Sequence, residues 1–209
     1  MSNLFKIKTV MIGEAGSGKS CIINRIIYNE YDEFGSATVG AQFLAKKIGE
    51  NIKLEIWDTA GQERYRALIP MYLRNAQIIC LVISLEKSYE QIEYEKQFWL
   101  NYLSIQNTMS KFHQIILIFN KCDLKPDFEI QNDERFDFIF IVSCKNRTGI
   151  DTFLNSLENN IITKLNNTIS KNIEIPLNPI ENNINTNENN GLIDYTYSVG
   201  KKIMNCCIL

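Results

Sequence analysis

Apolar and polar positions follow each other along the chain in blocks that predict alternating strands and helices. Continuous apolar runs at 78–83, 114–119 and 138–142 are typical of strands that are buried on both faces of a sheet. Another apolar run, Phe5–Ile12, leads into a glycine-rich loop, and residues 20–28 then repeat apolar side chains at helical spacing. This order is that of a strand, a loop and a helix.

The remaining segments extend the same pattern. Ala41–Ile48 and residues 52–57 flank a glycine-containing turn and predict an antiparallel hairpin. Residues 88–105 have helical spacing, and Thr148–Asp151 looks like a capping box that opens a last helix, which should end at about residue 165. Strands that alternate with helices predict an α/β fold. We expect a mostly parallel six-stranded sheet with one antiparallel strand and helices on both faces.

The composition changes at residue 166, where asparagine becomes the dominant residue and Pro176 and Pro179 follow. Such a stretch buries too little apolar surface to offset the entropy that is lost on ordering it. We therefore expect a folded domain at 1–165, a flexible tail at 166–205 and a separate C-terminal motif at 206–209.

Composition and charge argue against two classes of protein. The chain is 45% hydrophobic and 22% charged, with a net charge of -2 and a pI near 5.6. Because it has no basic excess, we expect no binding to nucleic acid. No apolar run of the sequence reaches the length of a transmembrane helix.

Residues 13–20, GEAGSGKS, match the phosphate-binding pattern G-x-x-x-x-G-K-[ST]. Glycines allow a tight turn in which backbone N–H groups point at phosphate oxygens. The lysine supplies a positive charge, the serine hydroxyl can ligate Mg²⁺, and the following helix adds its N-terminal dipole. The loop predicts a P-loop NTPase fold but does not distinguish ATP from GTP. The phosphate-binding residues expected here are Glu14, Ala15, Gly16, Ser17, Gly18, Lys19, Ser20 and Cys21.

The tetrapeptide NKCD at 120–123 favours guanine as the base. The carboxylate of Asp123 can accept two hydrogen bonds from the guanine edge, which adenine cannot donate. Lys121 can lie over the base and support the phosphate loop. Asn120 lies at the end of the strand that leads into Lys121 and Asp123. In isolation the tetrapeptide could be a simple turn. Its position after a parallel strand downstream of a phosphate loop makes it specific.

The segment WDTAGQE at 57–63 favours hydrolysis of the nucleotide. Asp58 is placed to hold a Mg²⁺-bound water, the Gly61 N–H can reach a γ-phosphate, and Gln62 can orient the attacking water. Thr38 lies in the loop between the first helix and the hairpin, where its hydroxyl could complete the Mg²⁺ shell. The assignment of Thr38 depends on the whole set of motifs.

Together these motifs resemble the Ras superfamily and, more closely, the Rab family of small GTPases, over about residues 4–165 and at the last two cysteines. Rab character lies in TVGAQF at 38–43, KLEIWDTAGQERY at 53–65 and RALIPMYLR at 66–74. The Gly-Ala-x-Phe and Pro-Met-Tyr segments resemble the early-endosomal branch most. The resemblance implies a GTP hydrolase, slow without an activating protein, that cycles between GDP and GTP states and regulates vesicle-mediated, endocytic traffic.

The resemblance also assigns further residues to the nucleotide and to effectors. Tyr31 occupies the position of the aromatic residue that packs against guanine. VSCK at 142–145 resembles the fifth guanine-nucleotide loop, usually Ser-Ala-Lys, and implies that Ser143, Cys144 and Lys145 bind nucleotide, with the cysteine as a mild departure. An aromatic surface that effectors contact would be formed by Phe43, Trp57 and Tyr72. The alternative is that these aromatic residues belong to the core.

The resemblance implies a set of cofactors and partners. The bound groups would be Mg²⁺ with GTP or GDP. The partners would be an exchange factor, a GTPase-activating protein that supplies the transition-state arginine, a GDP-dissociation inhibitor and effectors. The protein would be a monomer on the cytoplasmic face of intracellular membranes, with a cytosolic pool. The early endosome follows from the resemblance alone.

The C-terminal sequence CCIL at 206–209 predicts a lipid anchor. It resembles the double-cysteine ending on which Rab proteins carry two geranylgeranyl groups, and it also fits the C-a-a-X pattern, which would lipidate Cys206 alone. Stable anchoring usually needs two signals. Lys201 and Lys202 are too few for a polybasic second signal. We therefore expect lipid on both Cys206 and Cys207.

Three features depart from the family pattern. Ser84 follows the strand at 78–83, where Rab proteins usually show an aspartate soon after an aromatic residue. Ala15 and Gly16 replace the paired glycines of Ras. The segment between the NKCD motif and Ser143 is short, so its crossover helix can have a turn or two at most. Two alternatives stay open: a GTP-binding membrane scaffold with little hydrolysis, and a nucleotide kinase.

Overall fold

The computed structural model of the protein describes residues 5–106, 114–172 and 203–204, with the backbone alone for 165–172 and 203–204. Strands and helices alternate over these ranges, as the hydrophobic pattern predicts. In chain order the elements are β1 (Phe5–Ile12), α1 (Lys19–Tyr28), β2 (Ala41–Ile48), β3 (Ile52–Thr59), α2 (Ile69–Leu73), β4 (Ile78–Ser84), α3 (Tyr89–Ile105), β5 (Gln114–Asn120), β6 (Phe138–Ile141), α4 (Ile150–Asn172) and β7 (Ile203–Met204).

The strand order of the sheet is β2-β3-β1-β4-β5-β6-β7. Neighbouring strands run parallel except for β2 and β3, which form the predicted hairpin with Ile48 opposite Ile52. The predicted P-loop NTPase fold is therefore confirmed, with β1 to β6 as the six expected strands. The two-residue β7 is an addition that the hydrophobic pattern does not indicate, and it pairs in parallel with β6.

Side chains cover both faces of the sheet because its central strands are apolar on both sides. All residues of β4 are buried, as the continuous apolar run predicts. On one face, α1 and α4 contribute Ile22 and Phe153 to the core, and on the other face α2 and α3 contribute Leu73 and Trp99. The carboxyl ends of the parallel strands consequently meet at one edge of a rigid sheet, where polar side chains are presented.

The last helix differs from its prediction at both ends. The predicted capping box is wrong: the Thr148 hydroxyl donates to Asn146 Oδ1 at 2.7 Å, and the Asp151 carboxylate accepts from the Arg147 guanidinium at 2.7 Å. A capping box uses Glu or Gln at its last position, and the shorter aspartate pairs with its i−4 neighbour instead. The helix also continues to Asn172, so the expected boundary at 165 lies inside it. Extending a helix that is already nucleated costs little per residue, even for asparagine.

The connection between β5 and β6 contains a single 3₁₀ turn, Cys122–Leu124, in place of a long crossover helix. This agrees with the expectation of a turn or two at most. Phe136 is 1% exposed, and the ring of Phe128 lies 5.0 Å from the ring of Phe119 on β5. Side chains of the connection therefore cover the part of the sheet that a crossover helix would cover.

Candidate functional site

The loop at 13–20 connects β1 to α1, and two of its glycines allow other strands to approach closely. Gly13 and Gly18 have positive φ values of 139° and 93°. A Cβ atom on Gly13 would lie 2.3 Å from the Val82 carbonyl oxygen, and one on Gly18 would lie 2.1 Å from Asn120 Nδ2. Glycine is therefore required where the phosphate loop lies against the ends of β4 and β5.

Lys19 is buried behind the phosphate loop. Its Nζ donates to the carbonyl oxygens of Gly13 at 2.9 Å and Glu14 at 2.8 Å. Burial lowers the pKa of Lys19 to about 8, and the nearby carboxylates of Asp58 and Glu95 oppose that effect. The hydrogen bonds of this ammonium go to neutral oxygens, so a phosphate at the loop would supply a negatively charged partner for it.

Three oxygen-bearing side chains converge beside Lys19. Ser20 Oγ donates to Asp58 Oδ2 at 2.6 Å and lies 2.8 Å from Thr38 Oγ1, which donates to the same carboxylate oxygen at 3.2 Å. Asp58 is 1% exposed, and its Oδ1 is buried without a hydrogen-bond partner. Burial raises the pKa of Asp58, while the Ser20 hydrogen bond opposes this. Hydroxyl and carboxylate oxygens with one unsatisfied buried acceptor fit a Mg²⁺ ion.

Gly61 and Gln62 lie at the same end of the cleft. A Cβ atom on Gly61 would lie 2.4 Å from the carbonyl carbon of Glu14 and 2.5 Å from the nitrogen of Ala15, so the Gly61 backbone packs directly on the phosphate loop. Gln62 is half-buried and precedes the 3₁₀ turn Glu63–Leu68. The structure therefore places both residues beside the loop. Their contacts with a γ-phosphate and a water stay predictions.

The cleft has a phosphate end, formed by the loop at 13–20, and a base end, formed by the segments at 120–123 and 143–145. Asn120 connects the two ends by hydrogen bonds. Its Nδ2 donates to the Ser17 carbonyl oxygen at 3.0 Å, and its Oδ1 accepts from the Cys144 backbone nitrogen at 3.4 Å. Ser143 Oγ donates to Asp123 Oδ1 at 2.5 Å. Asn120 thus joins the phosphate loop to the loop at 143–145, and Ser143 of that loop holds the Asp123 carboxylate.

Lys121 has a partner that the sequence analysis missed. Its Nζ donates to Glu86 Oε2 at 2.5 Å, and this hydrogen bond lowers the pKa of Glu86. The Glu86 backbone nitrogen donates to Ser84 Oγ at 3.3 Å. The unusual Ser84 therefore shapes the turn that presents Glu86 to the lysine of the NKCD motif. The sequence feature that could have indicated this partner is the position of Glu86, an acidic residue in the short connection between a buried strand and a helix.

Arg25 of α1 is a second residue that the sequence analysis missed. Its Nε donates to the Cys144 carbonyl oxygen at 2.6 Å, and its Nη2 donates to the Lys145 carbonyl oxygen at 2.9 Å. The guanidinium carbon lies 5.6 Å from the centroid of the Tyr31 ring. Arg25 therefore connects the loop at 143–145 to the predicted guanine-packing tyrosine. The signal in the sequence was a single arginine within the apolar stretch at 20–28.

These segments enclose a cleft of about 960 Å³, which is the size of a small-molecule site. Four other predicted nucleotide or metal residues do not line the cleft, and each is hydrogen-bonded to a residue that does: Glu14, Ser17, Asp58 and Ser143. The predicted residues that line the cleft are Ala15, Gly16, Gly18, Lys19, Ser20, Cys21, Tyr31, Thr38, Gly61, Gln62, Asn120, Lys121, Asp123, Cys144 and Lys145.

Phe43, Trp57 and Tyr72 form a continuous aromatic row outside the cleft. The ring centroids of Phe43 and Trp57 are 5.2 Å apart, and those of Trp57 and Tyr72 are 5.3 Å apart. Phe43 is 49% exposed, and the other two are half-buried. Lys8 Nζ lies 5.5 Å from the Trp57 ring centroid. The row is therefore partly exposed, and Trp57 and Tyr72 also pack against the buried core on that face of the sheet.

Comparison with known proteins decides the family. Residues 8–123 match the family model described as Ras of Complex, Roc, domain of DAPkinase. Rab-13 of Canis lupus familiaris is 33% identical over 174 residues, which cover 78% of this chain and 82% of that protein. The chain belongs to the Rab family of small GTPases. Rab-18 of Lymnaea stagnalis is 36% identical over 185 residues (81% of this chain and 88% of that protein). Rab-5B of Dictyostelium discoideum is 45% identical over 130 residues (61% and 58%).

As a Rab protein, the chain is a GTP hydrolase that acts in membrane trafficking. Rab proteins in general bind GTP, GDP and Mg²⁺, work with regulators and effectors, and associate with intracellular membranes. The family assignment decides against the nucleotide-kinase alternative. Cys206 and Cys207 lie outside the described residues, as does most of the expected tail, so lipid attachment stays a prediction. Within the described ranges, no helix combines the length and the apolar character needed to cross a membrane.

Proposed function

We propose that this Rab protein regulates endocytic membrane traffic and uses a Mg²⁺-dependent GTP site as its switch. The proposed switch is supported by one observation: the segments that contain Thr38 and Gly61, which are distant in sequence from the phosphate loop, both contact it. Thr38 Oγ1 lies 2.8 Å from Ser20 Oγ, and Gly61 packs on the peptide of Glu14. Both segments would respond to the presence or loss of a γ-phosphate.

The chain's own residues account for binding and for orientation of the water. The loop N–H groups and Lys19 would bind the outer phosphates, and Gln62 would orient the attacking water. Ser20, Thr38 and Asp58 would hold Mg²⁺, which neutralises charge on phosphate oxygens when bound. The described lining of the cleft contains no arginine. We therefore expect an activating protein to supply the arginine that stabilises the transition state.

Single-turnover GTP hydrolysis, measured with and without an activating protein, tests the switch. A Rab-type switch should hydrolyse slowly alone and about 10³-fold or more faster with the activating protein. A GTP-binding scaffold, the alternative left open by the sequence, would bind GTP and show little hydrolysis in either condition.

The aromatic row of Phe43, Trp57 and Tyr72 is the effector surface in this proposal. It is partly exposed, and its first two members lie within five residues of Thr38 or Gly61, so a change in those segments would reach it. Substituting Phe43 with Ala should weaken GTP-dependent capture of effectors and leave GDP affinity unchanged. Equal loss of effector and nucleotide binding would contradict the assignment.

The membrane anchor in this proposal is a pair of geranylgeranyl groups on Cys206 and Cys207. The support is the CCIL ending and the small number of basic residues near it. The double variant Cys206→Ser and Cys207→Ser should move the protein from membranes to the cytosol, and the single variants should show whether one lipid suffices. Membrane association that survives the double substitution would refute the anchor.

The endocytic assignment is supported by the Gly-Ala-x-Phe and Pro-Met-Tyr segments and by the 45% identity to Rab-5B over 130 residues. An N-terminally tagged copy should colocalise with early-endosomal markers in its own cell. A Gln62→Leu variant should enlarge or redistribute the same compartment. Colocalisation with another compartment would leave the GTPase assignment intact and refute only the endocytic one.

A further inference from the structure

One buried charge near the phosphate loop does not line the cleft in which the nucleotide is expected to bind. Glu95 lies on α3 and is 1% exposed, although an isolated buried carboxylate is among the most costly groups in a protein interior. Burial raises the pKa of Glu95, and the hydrogen bond from Lys87 opposes this. A carboxylate at such a position needs specific partners, and these lie in the phosphate loop.

Both oxygens of Glu95 are used to hold Glu14. Oε1 accepts from the backbone nitrogen of Glu14 at 3.2 Å, and Oε2 accepts from Lys87 Nζ at 2.5 Å. The same ammonium donates to Glu14 Oε2 at 2.8 Å. Glu14, Lys87 and Glu95 thus form a closed ring of contacts, which we name the α3 clamp. It ties both the backbone and the side chain of Glu14 to α3.

Lys87 is presented from a fixed connection between β4 and α3. Its backbone nitrogen donates to the Ser84 carbonyl oxygen at 3.4 Å, and its carbonyl oxygen accepts from Lys125 Nζ at 2.5 Å. The next residue, Ser88, caps α3 by accepting from the Gln91 nitrogen at 3.4 Å. A backbone held on both sides limits how far the ammonium can move away from the phosphate loop.

The Glu14 peptide is where the clamp meets the functional parts of the site. Its carbonyl oxygen accepts from Lys19 Nζ at 2.8 Å and from the Ser17 backbone nitrogen at 3.3 Å. Gly61 packs on the carbonyl carbon of the same peptide. A shift of the Glu14 peptide would therefore disturb the phosphate-binding lysine and the γ-phosphate-sensing glycine together.

We propose that Glu95 and Lys87 are positioning residues that hold the Glu14 peptide in its phosphate-binding geometry and thereby set the rate of nucleotide release. Neither residue lines the described cleft. Their hydrogen bonds reach the phosphate loop at Glu14, and their charges also act on the pKa of the nearby Lys19. The proposal relies on nucleotide binding by this Rab protein and is independent of its compartment and its lipids.

The test measures release of a fluorescent GDP from the full chain into excess unlabelled GDP at fixed Mg²⁺. Glu95→Gln removes the charge and keeps the shape, and Lys87→Met removes the ammonium. Each should speed release about tenfold, because a charge-assisted hydrogen bond to the loop is lost. The double variant should show less than the product of the single effects, since both changes break one ring. Glu129→Gln, the same change at an exposed position, should leave release unchanged.

Two further variants separate positioning from loss of stability. Leu103→Val, in the buried face of α3, should lower the melting temperature without changing GDP release. Lys87→Arg keeps the positive charge and should restore slow release relative to Lys87→Met. Release that follows melting temperature across all variants would overturn the proposal, as would unchanged release in folded Glu95→Gln and Lys87→Met. A wild-type chain that binds no GDP would refute the GTP site itself.

Discussion

The phosphate end and the base end of the cleft are held by different kinds of contact. At the phosphate end, Lys19 is 5% exposed and Asp58 is 1% exposed, and their main partners are main-chain oxygens and half-buried hydroxyl groups. At the base end, the pair of Lys121 and Glu86 has side chains that are 29% and 53% exposed. Exposed ion pairs are screened by water and salt, whereas buried ones are screened much less. The predicted phosphate-binding lysine is therefore held within the core, whereas Lys121 at the base end is held by a contact at the surface.

The largest effect that sharpens this comparison is expected from Lys19→Ala at the phosphate end. The variant should lose GDP and GTP affinity by about 10²–10⁴-fold, because the charge-assisted hydrogen bonds to two phosphates disappear from a buried site. Titration with a fluorescent nucleotide measures the loss. Lys47→Ala, at an exposed position of β2, serves as the control and should bind as the wild type does. Affinity within tenfold of wild type would show that the phosphate end does not depend on the buried charge.

At the base end, Asp123→Asn should reduce the preference for GTP over ATP by about 100-fold, because the carboxylate no longer accepts two hydrogen bonds from guanine. ATP affinity should change little, since adenine does not donate these bonds. Competition titrations with both nucleotides check the ratio. Asp127→Asn, an exposed aspartate of the β5–β6 connection, is the matched control. An unchanged ratio would place base selection elsewhere.

Gln62→Leu separates chemistry from binding within the phosphate end. Intrinsic hydrolysis should slow by about tenfold or more, because the attacking water loses its orienting group. GTP affinity should stay as in the wild type, because Gln62 is half-buried and stands beside the loop instead of behind it. Single-turnover hydrolysis and equilibrium titration of the same preparation measure the two quantities. If Gln62→Leu hydrolysed GTP at the wild-type rate, the catalytic role assigned to Gln62 would be wrong.

The smallest effect is expected from Glu86→Gln. GDP release should rise about two- to threefold at low salt, because an exposed ion pair that orients Lys121 contributes little. The difference from wild type should vanish near 1 M salt, where the screening length falls to about 3 Å. The effect of Glu95→Gln in the α3 clamp should persist at the same salt concentration, since Glu95 is buried and Lys87 is half-buried. A reversed salt response would remove the distinction between the two ends.

The fold and the contiguous parts of the site were predictable from local patterns. Runs of apolar residues predict the buried strands because their period follows from backbone geometry. The phosphate loop and the NKCD motif are recognisable because each performs its chemistry with neighbouring residues. The errors lie at helix ends: the expected capping box at Thr148 and the end of the last helix near residue 165 are both wrong. End positions depend on small energies that competing side-chain pairs easily outweigh.

The sequence by itself predicted which groups should contact the nucleotide, and only the tertiary structure decided which groups hold them in position. The contact of Glu95 with Glu14 spans 81 positions of the chain, and that of Arg25 with Cys144 spans 119. No local pattern indicates such pairs. A buried charge is stable only beside partners that folding brings from distant elements, so its role becomes visible once the sheet has placed α3 against the phosphate loop.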